Sequence, residues 1–354
     1  MTKKILLKTE IAKLFTEISK EADFYAPINE KGNITFKKIS KPEEIQLDYL
    51  NSKVPPKDVL FPKMETMFTY KYIGKDVEIE EKQDLDQKIV IFGVRPCDAY
   101  SFKLLEDFFA FGNVQDELFL KKRENSTVIS IGCNNPRQSC FCSSVGGHPF
   151  SKDETDVFLV ELDEKYIVEP ISGKGNIFVD KLSWLSDATE KDSQLIEELA
   201  RQAEESITTK FNFDLVTKIL GENFDHPVWE EISENCIGCS SCTFLCPTCT
   251  CFDVIDEHDE YNNRGRRIRI WDTCQSCLYT KETSGHNPRP AKIQRCRNRI
   301  MHKFSYYPTN YNCLGCVGCG RCITACPVNN ELRVIIDKVI KIENKQERGE
   351  EINA

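Results

Sequence analysis

Two cysteine runs near the end of the chain restrict its fold more than any other feature. The first reads CIGCSSCTFLCP over 236–247, and the second reads CVGCGRCITACP over 316–327. Both follow the spacing Cys-x2-Cys-x2-Cys-x3-Cys-Pro, which is typical of bacterial proteins that bind two 4Fe–4S clusters. Two copies of so long a pattern in one chain predict a two-cluster ferredoxin-like domain.

The fourth cysteine of each run is expected to bind the cluster of the other run. Three cysteines on one tight loop can reach three corners of a cube, whereas the fourth, at the start of a helix, points the opposite way. The first predicted cluster uses Cys236, Cys239, Cys242 and Cys326, and the second uses Cys316, Cys319, Cys322 and Cys246.

A pair of zinc sites is the alternative for the same cysteines. Zinc takes four ligands in two pairs, which gives no reason for the third cysteine of each run or for the proline after the fourth. Gly238, Gly318 and Gly320 lie inside the loops, where glycine lets the backbone approach cluster sulfides closely. Ordinary turn glycines would fit the same loops.

Composition restricts the compartment and the partners. The chain has 354 residues, of which 40% are hydrophobic, and no apolar run long enough for a membrane span, so two soluble domains are expected. Its first residues lack the pattern of a secretory signal, and 18 cysteines at metal-binding spacings favour a reducing compartment, the cytoplasm. A net charge of -9 argues against nucleic acid or an anionic membrane as the main partner.

The region before the cysteine runs alternates short β-rich segments with helical ones, which is typical of an α/β or α+β domain. We predict a helix over 98–112, capped by Asp98 and ended by Gly112, and another over 193–206, with Asp192 as a possible cap. The predicted strands are 88–94, 127–133, 157–162 and 166–168.

The domain organisation follows from these patterns. We predict an α/β domain over 1–225, a ferredoxin-like domain over 226–345 and a flexible, charged tail over 346–354. A long insertion, 248–312, separates the two cysteine runs. Its first part, 252–272, has two β-rich arms around a polar turn and predicts a hairpin.

The second part of the insertion, 291–304, predicts a helix with an apolar face and a basic face. Cys296 falls on the apolar face and is expected in the core. The basic face is either solvated or turned toward a cluster or an acidic partner, and positive charge beside a cluster raises its reduction potential. The apolar residues are Ile293, Cys296, Ile300 and Phe304, and the basic residues are Lys292, Arg295, Arg299 and Lys303.

The remaining cysteines of the insertion have two interpretations. One is a further four-thiolate site, for a cluster or for zinc, and the favoured one is packing as small hydrophobic side chains. The cysteines concerned are Cys249, Cys251, Cys274 and Cys277.

Four more cysteines lie in the N-terminal region. Cys97 and Cys133 each follow a predicted strand, and ligand sites in α/β sheets form beyond the carboxyl ends of strands. If the two strands are neighbours, these thiols meet, and Cys140 and Cys142 complete a set of four. A redox-active or buried pair of Cys140 and Cys142 is the alternative.

Several segments resemble one protein family over most of the chain, from about 59 to 332. They are GVRPCD, CFCSS, CPTCTCF, WDTC, SGHNPRP and HKFSY, together with the second cysteine run. The chain is similar to the β subunits of cytosolic NiFe hydrogenase or sulfhydrogenase, and to the related A subunits of anaerobic sulfite reductase. The resemblance favours a third 4Fe–4S cluster, whose ligands would be Cys97, Cys133, Cys140 and Cys142.

The resemblance also implies a role. Members of the family are electron-transfer subunits that work beside a flavoprotein linked to NAD(P)H and a catalytic subunit of the hydrogenase or sulfite reductase type. We therefore expect a non-catalytic electron-transfer subunit, with flavin on a partner. The alternatives are the sulfite reductase A subunit, a reductase that binds flavin or substrate itself, and a zinc-organised interaction module. The sequence contains no dinucleotide-binding, P-loop or nucleophile-elbow motif.

Overall fold

The computed structural model describes residues 3–80, 85–259 and 261–347, with side chains described as far as residue 343. These residues divide into two units that are interleaved in sequence. The first unit contains the chain up to Gln138, Gly147–Thr208 and Phe252–Trp271, and the second contains Ser139–Gly146, Thr209–Cys251 and the chain from Asp272 onward.

The first unit carries the strands that the structure describes, arranged in two sheets. In chain order they are β1 (Lys4–Leu7), β2 (Asp23–Glu30), β3 (Asn33–Lys38), β4 (Met64–Ile73), β5 (Asp76–Glu80), β6 (Ile89–Val94), β7 (Ser126–Ile131), β8 (Val157–Leu162), β9 (Lys165–Pro170), β10 (Ser186–Asp187), β11 (Phe252–Asp259) and β12 (Arg264–Trp271). Its helices are α1 (Ile11–Ile18), α2 (Lys57–Leu60), α3 (Pro96–Phe109), α4 (Glu117–Glu124), α5 (Gly173–Asp180) and α6 (Glu190–Glu205).

The larger sheet has the order β10-β1-β9-β8-β7-β6-β2-β3. Its centre is parallel, because β2, β6, β7 and β8 pair in parallel while the outer strands pair antiparallel. Along β6, Val90 and Phe92 enter one hydrophobic core while Ile89 and Ile91 enter another. A continuously apolar strand is what burial on both faces requires, so the strand predicted over 88–94 lies at the middle of the sheet.

The smaller sheet has the order β11-β12-β4-β5, so the hairpin predicted over 252–272 belongs to the first unit. Strand β12 pairs antiparallel with β4, and the buried Arg269 forms ion pairs with Glu65 on β4 and with Asp116 at the start of α4. The Arg269 guanidinium also lies 4.9 Å from the centre of the Phe61 ring. The insertion is therefore shared between the units, which differs from the single insertion within one domain that spacing predicted.

The second unit is helical in the residues that the structure describes. Its core joins Phe213, Trp229, Phe304 and Ile336, and the rings of Phe213 and Phe304 stack at 4.9 Å between centroids. The helices are α7 (Phe213–Glu222), α8 (Val228–Ser233), α9 (Ser241–Phe244), α10 (Lys292–Met301), α11 (Tyr307–Tyr311), α12 (Arg321–Thr324) and α13 (Leu332–Glu347).

The predicted caps of the first-unit helices need correction. Helix α3 begins after Arg95 and not at Asp98, because Pro96 occupies the first helical position, where its missing N–H costs no hydrogen bond. The helix also ends at Phe109, three residues before Gly112. Helix α6 begins after Thr189, and Asp192 completes a capping box with that residue instead of capping the helix itself.

The helix predicted over 291–304 is confirmed with a change of geometry at its end. Helix α10 runs to Met301 and is followed by a π-helical segment, His302–Tyr306. Cys296 is buried on the apolar face, as the spacing predicts. The predicted tail overlaps the end of α13 at 346–347, and its remaining residues lie outside the described part of the chain.

Candidate iron-sulfur sites

The two cysteine runs have the same local backbone. In each, a glycine with positive φ precedes the second cysteine, Gly238 at 68° and Gly318 at 63°. The N–H of Gly238 donates to the sulfur of Cys236 at 3.4 Å, and the N–H of Gly318 donates to that of Cys316 at 3.5 Å. Since backbone N–H groups aimed at a cysteine sulfur stabilise its thiolate, both loops suit anionic ligands.

Glycines in the second run serve a packing role that spacing did not indicate. A Cβ on Gly318 would lie 2.5 Å from the backbone nitrogen of Cys142, and a Cβ on Gly320 would lie 2.6 Å from the carbonyl oxygen of Ser139. The N–H of Phe141 donates to the carbonyl of Gly318 at 2.9 Å. The segment Ser139–Gly146 therefore packs directly against the second cysteine run within the second unit.

A cavity of about 50 Å³ lies beside the first run. Its lining contains three cysteines of the first run and the last cysteine of the second, which is the combination that the crossover predicts. The lining also contains Arg299, Cys296 and Cys322, of which Cys322 belongs to the second predicted set. The four cysteines are Cys236, Cys239, Cys242 and Cys326.

The thiols of the second predicted set also lie near one another. Burial, together with the neighbouring Cys246 and Cys322, raises the pKa of Cys316 to about 11, against the lowering effect of Lys303. Cys319 is buried on the same loop. Cys246, the last cysteine of the first run, thus lies among cysteines of the second run, which favours the same crossover in the other direction.

Two cations from the predicted basic face are buried among these cysteines. Arg299 is 8% exposed and Lys303 is 3% exposed, and in the described residues neither forms an ion pair with a carboxylate. Burial lowers the pKa of each side chain, but cysteine thiolates outweigh it, so that both pKa values are raised. The thiolates are those of Cys242, Cys322, Cys249 and Cys246 around Arg299, and those of Cys246, Cys249 and Cys316 around Lys303.

The positive charges of Arg299 and Lys303 indicate whether anionic clusters fit among these cysteines. An uncompensated buried charge costs several kcal/mol, so a buried cation needs a negative partner. Clusters with four thiolate ligands supply that negative charge. The burial of Arg299 and Lys303 among cysteines therefore favours the interpretation in which the basic face is turned toward a cluster. Lys292, at the start of α10, instead donates to the carbonyl of Glu234.

The other cysteines of the insertion are only partly brought together. Cys251 and Cys274 lie within hydrogen-bonding distance, and their interaction, together with burial, raises the pKa of Cys274. Cys277 is exposed. Within the described residues, no three Cys, His, Asp or Glu side chains are close enough to hold a single metal ion; a cluster, being larger than one ion, separates its thiolates further.

In the first unit, the two strands that precede Cys97 and Cys133 lie side by side, as inferred from the sequence. β6 and β7 are parallel neighbours, which confirms the adjacency inferred for the residues that follow them, Cys97 and Cys133. Arg95 donates to the carbonyl of Gly132 at 3.0 Å and so links the two strand ends. Burial raises the pKa of Cys133, against the lowering effect of Arg95. Cys140 and Cys142 belong to the second unit, and the third cluster stays a prediction.

Sequence reasoning overlooked Thr248, which lies two residues after Cys246. Its Oγ1 is 3.2 Å from the sulfur of Cys246 and accepts a hydrogen bond from Lys303 Nζ at 2.8 Å. A hydroxyl two residues after a predicted ligand is a weak signal in sequence, since threonine is common in turns.

Comparison with known proteins identifies a domain that binds 4Fe–4S clusters and a relative of the whole chain. The family model for a 4Fe–4S dicluster domain matches residues 235–330, a range that includes both cysteine runs. Sulfhydrogenase 2 subunit beta of Pyrococcus furiosus is 32% identical over 327 residues, which cover 92% of this chain and 94% of that protein. No solved structure matches the chain. In the described residues, no helix is both long and apolar enough to cross a membrane.

Proposed function

The chain belongs to the family of sulfhydrogenase β subunits, and from this premise we propose that it conducts electrons between a flavin- and NAD(P)H-linked subunit and a catalytic subunit of the NiFe hydrogenase type. The iron–sulfur part of this role is supported by the dicluster match over 235–330. The flavoprotein and the catalytic subunit are expected from the family resemblance.

One observation carries the proposal: Arg299 and Lys303 are buried between the two cysteine runs without carboxylate partners among the described residues. A protein that merely packed these cysteines as hydrophobic side chains would gain nothing from two dehydrated cations at the same place. Two anionic clusters compensate both charges. When bound, such clusters supply one-electron transfer.

The spacing of the runs and the lining of the cavity support an assignment of the ligands. We assign the first cluster to Cys236, Cys239, Cys242 and Cys326, and the second to Cys316, Cys319, Cys322 and Cys246. The third cluster, on Cys97, Cys133, Cys140 and Cys142, rests on the sequence and on the family resemblance.

Metal and sulfide analysis of the anaerobically purified full chain, with electron paramagnetic resonance (EPR), tests the cofactor. We expect about eight iron atoms for two clusters and about twelve for three, with matching sulfide. Cys239→Ala should lose iron, whereas Cys277→Ala, which also changes an exposed cysteine, should not. A colourless chain that contains zinc and no iron would contradict the proposal.

A separate experiment tests whether flavin and the reaction with NAD(P)H belong to a partner subunit. The isolated chain should contain no flavin, and NAD(P)H should not reduce its clusters, because the hydride acceptor lies on a partner. Reduction by dithionite provides the positive control. Bound flavin, or cluster reduction by NAD(P)H in the isolated chain, would instead identify a reductase in its own right.

A further inference from the structure

A buried lysine and a threonine lie beside ligands of the second predicted cluster. The Lys303 ammonium donates to Thr248 Oγ1 at 2.8 Å and to the carbonyl of Gly315 at 2.7 Å. Gly315 immediately precedes Cys316, and Thr248 follows Cys246 by two residues. Lys303 is therefore held between two ligands that belong to the second predicted cluster.

Thr248 links the Lys303 ammonium to the sulfur of Cys246 through hydrogen bonds. Its hydroxyl carries one proton, and its oxygen lies 2.8 Å from the carbonyl of Gly315 and 3.2 Å from the sulfur of Cys246. Lys303 already donates to that carbonyl. When Cys246 is a thiolate, the hydroxyl therefore gains most by donating to the sulfur, since hydrogen bonds to ionised acceptors are the stronger ones.

The first predicted cluster has a different arrangement at the equivalent position. Cys326, the last cysteine of the second run, accepts a hydrogen bond from the backbone N–H of Asn330 at 3.2 Å. Arg299 lies near Cys242 of the first predicted set and near Cys322 and Cys246 of the second. Lys303 and Thr248 are thus the buried charge and hydroxyl that distinguish the surroundings of the second cluster from those of the first.

We propose that Lys303, through its charge and through Thr248, raises the reduction potential of the second cluster while leaving that of the first nearly unchanged. A cluster gains a negative charge on reduction, so a buried cation and a hydrogen bond to a ligand sulfur favour the reduced form. Lys303 is a positioning residue that acts through its charge and through Thr248. This inference rests on the proposed function, because it needs both clusters.

The test is an EPR-monitored redox titration of the full chain as wild type and as Lys303→Gln, which keeps hydrogen-bonding capacity and loses the charge. A second variant, Thr248→Val, removes only the hydroxyl. Lys218→Met is the control, since Lys218 is an exposed lysine of the second unit that pairs with Glu343. We expect one midpoint potential to fall in Lys303→Gln and the same one to fall less in Thr248→Val, while the control shifts neither.

The outcomes separate this inference from the function on which it rests. Equal shifts of both potentials, shifts of different clusters in the two variants, or no shift with iron content intact would overturn the inference alone. If Lys303→Gln does not fold or loses iron, Thr248→Val decides by the same criterion. A wild-type chain without iron would contradict the proposed function and the inference together.

Discussion

The thiol of Cys296 lies within hydrogen-bonding reach of the sulfur of Cys236 and lies 3.8 Å from Gln275 Oε1, so a buried cysteine outside both runs neighbours a predicted cluster ligand. Hydrogen bonds to ionised acceptors are the stronger ones, and donation to the Cys236 thiolate is the largest influence that lowers the pKa of Cys236 to about 6 and raises the pKa of Cys296. Gly238 donates to the same sulfur from its backbone. The Cys236 thiolate therefore has two donors before any iron is considered.

We expect Cys296→Ala to lower one cluster potential by roughly 20 to 60 mV, because a hydrogen bond to sulfur is worth about 0.5 to 1.5 kcal/mol and a one-electron couple converts this at about 59 mV per tenfold. Redox titration followed by EPR measures the shift. Cys296→Ser keeps a donor at the same place and should restore most of the potential. Equal potentials in wild type and Cys296→Ala would show that the bond has no influence on the cluster.

Arg299→Met should lower both cluster potentials, because Arg299 lies near a cysteine of each predicted set. The expected shift is on the order of 100 mV, the effect of one charge about 6 Å away at an effective dielectric constant of about 20. Arg297→Met is the matched control on α10, where Arg297 pairs with the exposed Asp225. A shift confined to one cluster would be inconsistent with the position of Arg299 between the runs.

Cys140→Ala tests the third cluster. The variant should lose about four iron atoms of about twelve and leave the EPR signals of the two dicluster-domain clusters in place. Iron and sulfide are measured on the purified chain, with Cys277→Ala as the control. Unchanged iron content would remove Cys140 from the ligand set and leave the pair with Cys142 as a redox-active or buried dithiol.

Arg269→Met should lower the free energy of unfolding by about 2 kcal/mol, because it removes the charge-assisted hydrogen bonds to Glu65 and Asp116 and leaves Glu65 paired with Lys122. Glu65 is 7% exposed and pairs with Arg269 across strands β4 and β12. Arg266→Met, which breaks the exposed pair with Glu257 on the same hairpin, should change stability by no more than about 0.5 kcal/mol. Chemical denaturation measures both, and similar losses would refute a special role of Arg269.

Asp192→Asn should reduce stability in a pH-dependent way. Hydrogen bonds from Lys165 and Thr189 lower the pKa of Asp192 to about 2. The carboxylate therefore contributes stability above its ordinary pKa of about 3.9, and this contribution is lost as the pH falls toward 2. We expect a loss of about 1 kcal/mol at pH 7 that shrinks below about pH 4. Denaturation at pH 7 and pH 3 measures the difference, and a loss independent of pH would contradict the assignment.

Local sequence patterns predicted helices and strands correctly where the pattern that defines the element lies within one continuous segment. The apolar run of β6, the helical spacing of α10 and the two arms of the β11–β12 hairpin all appear as predicted. The cap of α3 was wrong because Pro96, and not Asp98, determines where that helix begins. The first 80 residues gave no motif, although β4 and β5 pair with each other locally; what the sequence did not indicate is the pairing of β4 with β12, a strand far along the chain.

The spacing of a cysteine run is a property of one short loop, so the candidate cluster ligands can be identified from the sequence alone. The apolar and basic faces of α10 can be identified in the same way, from the helical periodicity. The burial of Arg299 and Lys303 among thiols, and the place of the hairpin in the first unit, emerge from the folded chain. Periodicity defines the faces of an element, whereas the surfaces that those faces contact depend on segments distant in sequence.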